Sequence, residues 1–154
     1  MEINKIEICN LNSLKGEFPI DFMSGQLKGQ DIFAITGATG SGKSTILDAI
    51  TLALYNRIPR LDGKSGEADS KSEDPYKRLK PEDPKNSLSR GTKEGYAKVV
   101  FEVSGKIYRA EWICILKEKN FSGTHALYQI ENESGVEKAT CLVEGSTEYQ
   151  TFVQ

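Results

Sequence analysis

Gly37-Ala38-Thr39-Gly40-Ser41-Gly42-Lys43-Ser44-Thr45 is a complete G-x-x-x-x-G-K-S loop, with Gly37, Gly42, Lys43 and Ser44 at its specified positions. In such a loop the glycines let backbone N–H groups turn inward around phosphate oxygens. The lysine adds positive charge at the β- and γ-phosphates, and the serine hydroxyl can ligate Mg2+. The pattern predicts a bound nucleoside triphosphate. Its flanks agree. Residues 31–36 (DIFAIT) form a short, mostly apolar run expected to be a buried strand feeding the loop. Residues 44–55 lack Gly and Pro and read as a helix. There Ile46, Leu47, Ala49, Ile50, Leu52, Ala53 and Leu54 cover most of the circumference, leaving Ser44, Asp48, Thr51 and Tyr55 on one polar strip. A buried helix is expected, its N-terminus aimed at the phosphates.

The 154-residue chain suffices for one ordinary core and carries a formal charge of −2, without the general basic character of a nucleic-acid-binding surface. No run approaches a membrane span, and the first residues lack a basic-then-apolar leader pattern, so a cytoplasmic protein is expected. Cys9, Cys114 and Cys141 are odd in number and flanked by apolar residues, which suggests buried free thiols. His125 is the only histidine, which weakens a zinc reading.

Residues 62–94 hold eight acidic and eight basic side chains but only Ala68, Tyr76, Leu79 and Leu88 as apolar ones, with Pro75, Pro81 and Pro84. This composition predicts a mobile, solvated excursion that supplies no core element. Elsewhere antiparallel hairpins are expected: residues 2–9 with 18–22, 97–103 with 107–116, and further strands at 126–130 and 139–143. Hairpins around a single strand-loop-helix unit differ from the alternation of a small kinase. They imply an α/β fold of the P-loop NTPase class, arranged as the N-terminal lobe of an ATP-binding cassette head with an antiparallel β-subdomain.

Three stretches together, CNLNSLKGE at 9–17, FAITG at 33–37 with LDAI at 47–50, and Phe101 followed by YRAEW at 108–112, resemble the N-terminal ATPase lobe of the SbcC family. Its members are bacterial relatives of double-strand-break repair ATPases and of chromosome-maintenance proteins. The resemblance covers most of residues 1–112 outside the charged excursion. It implies ATP and Mg2+ at Gly37, Ala38, Thr39, Gly40, Ser41, Gly42, Lys43, Ser44 and Thr45, with Ser44 on the metal. It also implies that Asn12 and Ser13 lie near the nucleotide, and that Ser89 and Arg90 border its base or ribose. The implied partners are the C-terminal ATPase lobe of the same polypeptide, a second head in a dimer, an SbcD-type nuclease and double-stranded DNA ends.

Other features read more plainly. Leu88-Ser89-Arg90-Gly91 is similar to a cassette signature, but Thr92-Lys93-Glu94-Gly95 after it is turn-like where a signature needs a helix. Glu102 lies within a strand, not at the strand end where a metal-holding acid belongs. Gln154 stands in a poor context for a Mg2+-sensing glutamine and is not assigned. Lys106, Arg109, Lys117 and Lys119 are read as solvated strand charges. The expected function is the ATP-binding half of a DNA-repair ATPase head that regulates an end-processing nuclease. A small P-loop phosphotransferase or a non-catalytic nucleotide-binding module are the alternatives.

Overall fold

Ile6 and Ile8 stand two residues apart and are both buried, because side chains of one strand alternate between its faces. The computed structural model describes residues 1–30, 32, 34–133 and 136–145 and continues that alternation across a sheet. The strands are β1 (Glu2–Leu11), β2 (Leu14–Asp21), β3 (Glu94–Val103), β4 (Lys106–Lys117), β5 (Asn120–Glu133) and β6 (Val136–Glu144). They pair antiparallel in the order β2-β1-β3-β4-β5-β6. Two rows of side chains cross the inner face, Ile6–Val99–Ala110–Leu127 and Ile8–Ala97–Trp112–His125. Against them packs α1 (Lys43–Tyr55), through Ala49, Leu52 and Ala53. Small residues at 49, 53, 97 and 110, none of them exposed, let helix and sheet approach closely. Each fully buried large side chain here, such as Trp112 or Leu52, stabilises the fold by about 2–3 kcal/mol.

The predicted hairpins form, with longer strands than the apolar runs alone suggest. Ser104 and Gly105, both at positive φ, make a two-residue turn between β3 and β4, and Asn12 at φ 50° serves the β1–β2 turn. Gly95 is required at its place in β3, since a Cβ there would stand 2.8 Å from the Cys9 carbonyl oxygen and 2.9 Å from that of Asn10.

Four expectations are corrected. Ile32, Ala34, Ile35 and Thr36, the described residues of the expected buried strand, belong to no strand, and Ile32 is 89% exposed. A strand needs a neighbour to take up its N–H and C=O groups, and none of the described strands pairs with this segment. Helix α1 on an antiparallel sheet is consistent with a P-loop ATPase-like fold, while the strand expected before the loop is not formed among the described residues. Second, α1 is buried on one side only: Leu47 is 60% exposed, whereas Asp48, expected on the polar strip, is buried. Third, the charged excursion does supply core residues. Tyr76 and Leu88 join the main cluster, and the Tyr76 ring meets Phe121 edge-on at 4.9 Å. Pro75 and Pro84 begin short 3-10 turns at Pro75–Arg78 and Pro84–Ser87, each capped by the preceding aspartate, Asp74 or Asp83. Fourth, Cys9 and Cys114 are buried free thiols, but Cys141 is exposed, because it lies on the edge strand β6.

A candidate nucleotide-binding site

The loop from Gly37 to Ser41 is exposed and leads into α1 through Gly42, which adopts φ 93° as the N-cap. No side chain caps the helix, so its first N–H groups keep the loop side. Gly40 is also at positive φ, and Ser41 N–H closes a turn on the Ala38 carbonyl at 3.2 Å. Lys43 reaches back over the loop, its Nζ 2.7 Å from both the Gly37 and the Ala38 carbonyl oxygens. An ammonium inside a ring of backbone groups at an uncapped helix start suits a polyphosphate. Ser44 is exposed at the helix start, with an oxygen suited to Mg2+, while Thr45 is buried. The residues present thus fit the group that the motif implies.

The β1–β2 turn is brought against this helix. Leu14 covers Gly42, and Asn12 Nδ2 donates to Asp48 Oδ2 at 3.3 Å, one helical turn beyond Ser44. Ser13 is exposed between them. Asn12 is also held through its backbone: its N–H donates to Ser87 O at 2.7 Å, and its carbonyl accepts from Ser89 Oγ at 2.8 Å. Ser89 is itself buried, and its hydroxyl is engaged in this link. Arg90 is exposed, stacked 3.5 Å over the Tyr76 ring and 3.5 Å from Asp74. Residues 88–90 precede no helix; β3 begins at Glu94.

Arg60 is the residue that sequence reading missed. The helix stops at Asn56, which takes a left-handed conformation and bonds back to Leu52 O at 2.9 Å. Ile58 and Leu61 then bury, and the 3-10 turn Pro59–Leu61 directs Arg60 at the helix. Its Nε lies 2.9 and 2.8 Å from the two Asp48 oxygens and its Nη2 2.6 Å from Oδ2. The hydrogen bonds to Asp48 push the Arg60 pKa further up. Asn in a helix-ending position before a Pro was the available signal. A cavity of about 580 Å3 opens beside the pair, lined by Asn12, Arg60, Lys64, Tyr76, Lys77 and Ser87.

The remaining candidates lie elsewhere. Glu102 sits inside β3, paired with Ile107 and with Glu2. On the outer face of the sheet Arg109 pairs with Glu111 at 2.6 Å and Glu137 at 3.1 Å; Lys119, in the β4–β5 turn, pairs with Glu73, while Lys106 and Lys117 are exposed strand ends. Gln154 lies outside the described residues. No helix among the described residues is long and apolar enough to cross a membrane.

The AAA domain family matches residues 5–151. The SbcC component of nuclease SbcCD from Pseudomonas aeruginosa is 48% identical over 113 residues, 73% of this chain and 9% of that protein. Its counterpart from Rhodobacter capsulatus is 41% identical over the same shares. A probable DNA double-strand break repair Rad50 ATPase of Aquifex aeolicus is 35% identical over 70% of the chain and 9% of its own length. The chain thus spans about a tenth of the length of these relatives.

Proposed function

Because the chain belongs to the AAA domain family and is an ATPase lobe of the SbcC type, we propose that it binds ATP with Mg2+ through residues 37–45 as one half of a DNA-repair ATPase head. The carrying observation is the exposed loop on an uncapped helix, with Lys43 turned back over it. Lys43 would hold the β- and γ-phosphates and Ser44 the metal, while Asn12 and Ser13 would lie near the nucleotide and Ser89 and Arg90 would border its base or ribose. Bound Mg2+ would supply charge neutralisation as the terminal phosphoryl group leaves.

Among the described residues, neither Asp48 nor Glu102 is placed to serve as a general base. Asp48 is already bound to Arg60 and Asn12, and Glu102 faces a strand partner. Hydrolysis in such heads needs an acid that polarises water and donors that meet the departing phosphoryl group. The C-terminal lobe and a second head would bring them. An uncovered apolar groove supports that assembly. Ile20, Phe22, Ile35, Ile46, Leu47 and Ile50 line it beside the unpaired segment 34–36, in a space of about 1020 Å3. The assembled head would regulate an SbcD-type nuclease on double-stranded DNA ends from the cytoplasm.

Titration calorimetry with ATP and Mg2+ tests the reading. Binding by the chain that Lys43→Ala reduces more than about tenfold supports it, since charge-assisted contacts to phosphate are the strongest in such a site. Equal binding by both proteins removes the loop from the function.

A further inference from the structure

Ser89 keeps 1% of its surface exposed, near the end of the charged 62–94 stretch and ahead of β3. A hydroxyl taken that far out of water needs a partner. Ser89 Oγ donates to the Asn12 carbonyl oxygen at 2.8 Å, across 77 residues of sequence. The bond extends a short ladder. Ser89 N–H donates to Asn10 O at 2.9 Å, Asn12 N–H donates to Ser87 O at 2.7 Å, and Leu11 and Leu88 pair between them as an antiparallel bridge. Residues 87–89 are thus a strap laid along the β1–β2 turn. The strap is anchored in its own right, since Tyr76 Oη donates to Leu88 O at 3.1 Å and Thr92 Oγ1 to Ser89 O at 2.7 Å. Backbone bonds hold turn and strap together as far as the Asn12 amide. The Ser89 hydroxyl adds the Asn12 carbonyl, one step nearer Leu14, at a residue held in the left-handed region with φ 50°.

Two residues further on, Leu14 closes the turn opposite Leu11 and lies over Gly42, the N-cap of α1. The geometry points to Ser89 as a positioning residue for the phosphate loop: its hydroxyl fixes the β1–β2 turn, and the turn, through Leu14, fixes the backbone at Gly42 where the loop enters the helix. This rests on the reading that residues 37–45 hold the triphosphate. Ser89 acts on the phosphates without touching them, its one hydroxyl proton already given to Asn12. A glycine at φ 93° is free to take many other torsions, and Leu14 packed against it removes them. Backbone ordered before the anion arrives does not have to be ordered by it, and the affinity is higher for that reason.

Calorimetric titration of the chain with Mg·ATP and, separately, with Mg·tripolyphosphate tests the role. Ser89→Ala is expected to weaken both ligands alike, by about fivefold, the effect of one buried hydrogen bond. In a Leu14→Ala background the same substitution should add less than about twofold, because the route from turn to loop is already cut. Leu127→Ala, which opens the core at β5, is expected to lower stability to urea more than Ser89→Ala does and to leave both affinities within about twofold. Equal losses of affinity in Leu127→Ala and Ser89→Ala would reduce Ser89 to a support of the fold and overturn the proposal. A loss confined to ATP would make Ser89 a contact to the base or ribose and overturn it too, as would undiminished binding by Ser89→Ala or independent losses in the double variant. Where Ser89→Ala does not fold, Ser89→Cys, of similar volume with a weak donor, carries the same comparison. Failure of the phosphate-loop reading looks different: the unmodified chain would bind neither ligand, or Lys43→Ala would bind both as well as it does.

Discussion

Leu14 covers Gly42 so closely that a β-carbon built on the glycine would lie 2.5 Å from Leu14 Cδ2. The first residue of β2 thereby sets the start of the phosphate-loop helix. Gly42→Ala meets two penalties, the left-handed φ of 93° and this collision, and is expected to destabilise the chain by about 2 kcal/mol. Adding Leu14→Ala removes the collision and leaves the φ, so the double variant should recover part of the affinity for ATP lost by Gly42→Ala. Urea denaturation and ATP titration of the three proteins check both effects; a double variant no better than Gly42→Ala would show that the collision is not what matters.

His125 is buried, with Nε2 2.7 Å from the Ala53 carbonyl oxygen. Burial lowers its pKa below the ordinary 6.5, against a smaller raising effect of that carbonyl. A depressed folded-state pKa means that the unfolded chain takes the proton first. The stabilisation is therefore complete above pH 6.5 and declines as pH falls toward the folded value. His125→Gln should be less stable than the unmodified chain at pH 7.5, with the gap narrowing by pH 5.5. Melting curves at the two pH values measure it, and a constant gap would contradict the assignment.

Tyr76 ties the 62–94 excursion to the sheet. Its hydroxyl lies 3.1 and 3.3 Å from the carbonyl oxygens of Leu88 and Ser89, and its ring packs on Phe121. Tyr76→Phe is expected to cost about 1 kcal/mol by removing the donor to Leu88 O, since Ser89 O keeps Thr92 N–H and Oγ1, and Tyr76→Ala about 3–4 kcal/mol by opening a cavity. Chemical denaturation separates the two, and near-equal values would mean that the ring contributes little.

Leu47 projects from α1 into the uncovered groove with 60% of its surface exposed. Leu47→Lys should change the stability of the isolated chain by less than about 0.5 kcal/mol while reducing binding of an apolar fluorescent dye. The same substitution should weaken association with a C-terminal lobe in a pull-down. Unaltered dye binding would place the accessible apolar surface elsewhere.

What could be read without coordinates was local. The phosphate loop, its helix and the hairpins depend on residues within a turn or two of each other, as Ser104-Gly105 and the alternation of β3 show. What escaped depended on chain reversal or on missing neighbours. Helical angle alone puts Asp48 on a polar strip, yet its carboxylate is engaged by Arg60, which arrives only after Asn56 and Pro59 turn the chain back. Tyr76 and Leu88 are too sparse to signal a core, but two apolar residues suffice when short capped turns deliver them to one already formed. Residues 34–36 have the composition of a strand and lack only something to pair with. The roles of Ser13, Ser89 and Arg90 came from family resemblance, and the fold gives two of them neighbours: a buried link for Ser89 and a tyrosine stack for Arg90.

The segment 34–36 runs without interruption into the loop at Gly37, so the proposed assembly and nucleotide binding would share one length of backbone. A lobe that straightens 34–36 into a strand restricts the same torsions that a phosphate must restrict in 37–42. Linkage makes the effect mutual: whatever factor the lobe adds to the affinity for ATP, ATP adds to the affinity for the lobe. A lobe that paired with 34–36 would thus turn strand pairing into a thermodynamic coupling that reports occupancy of the loop.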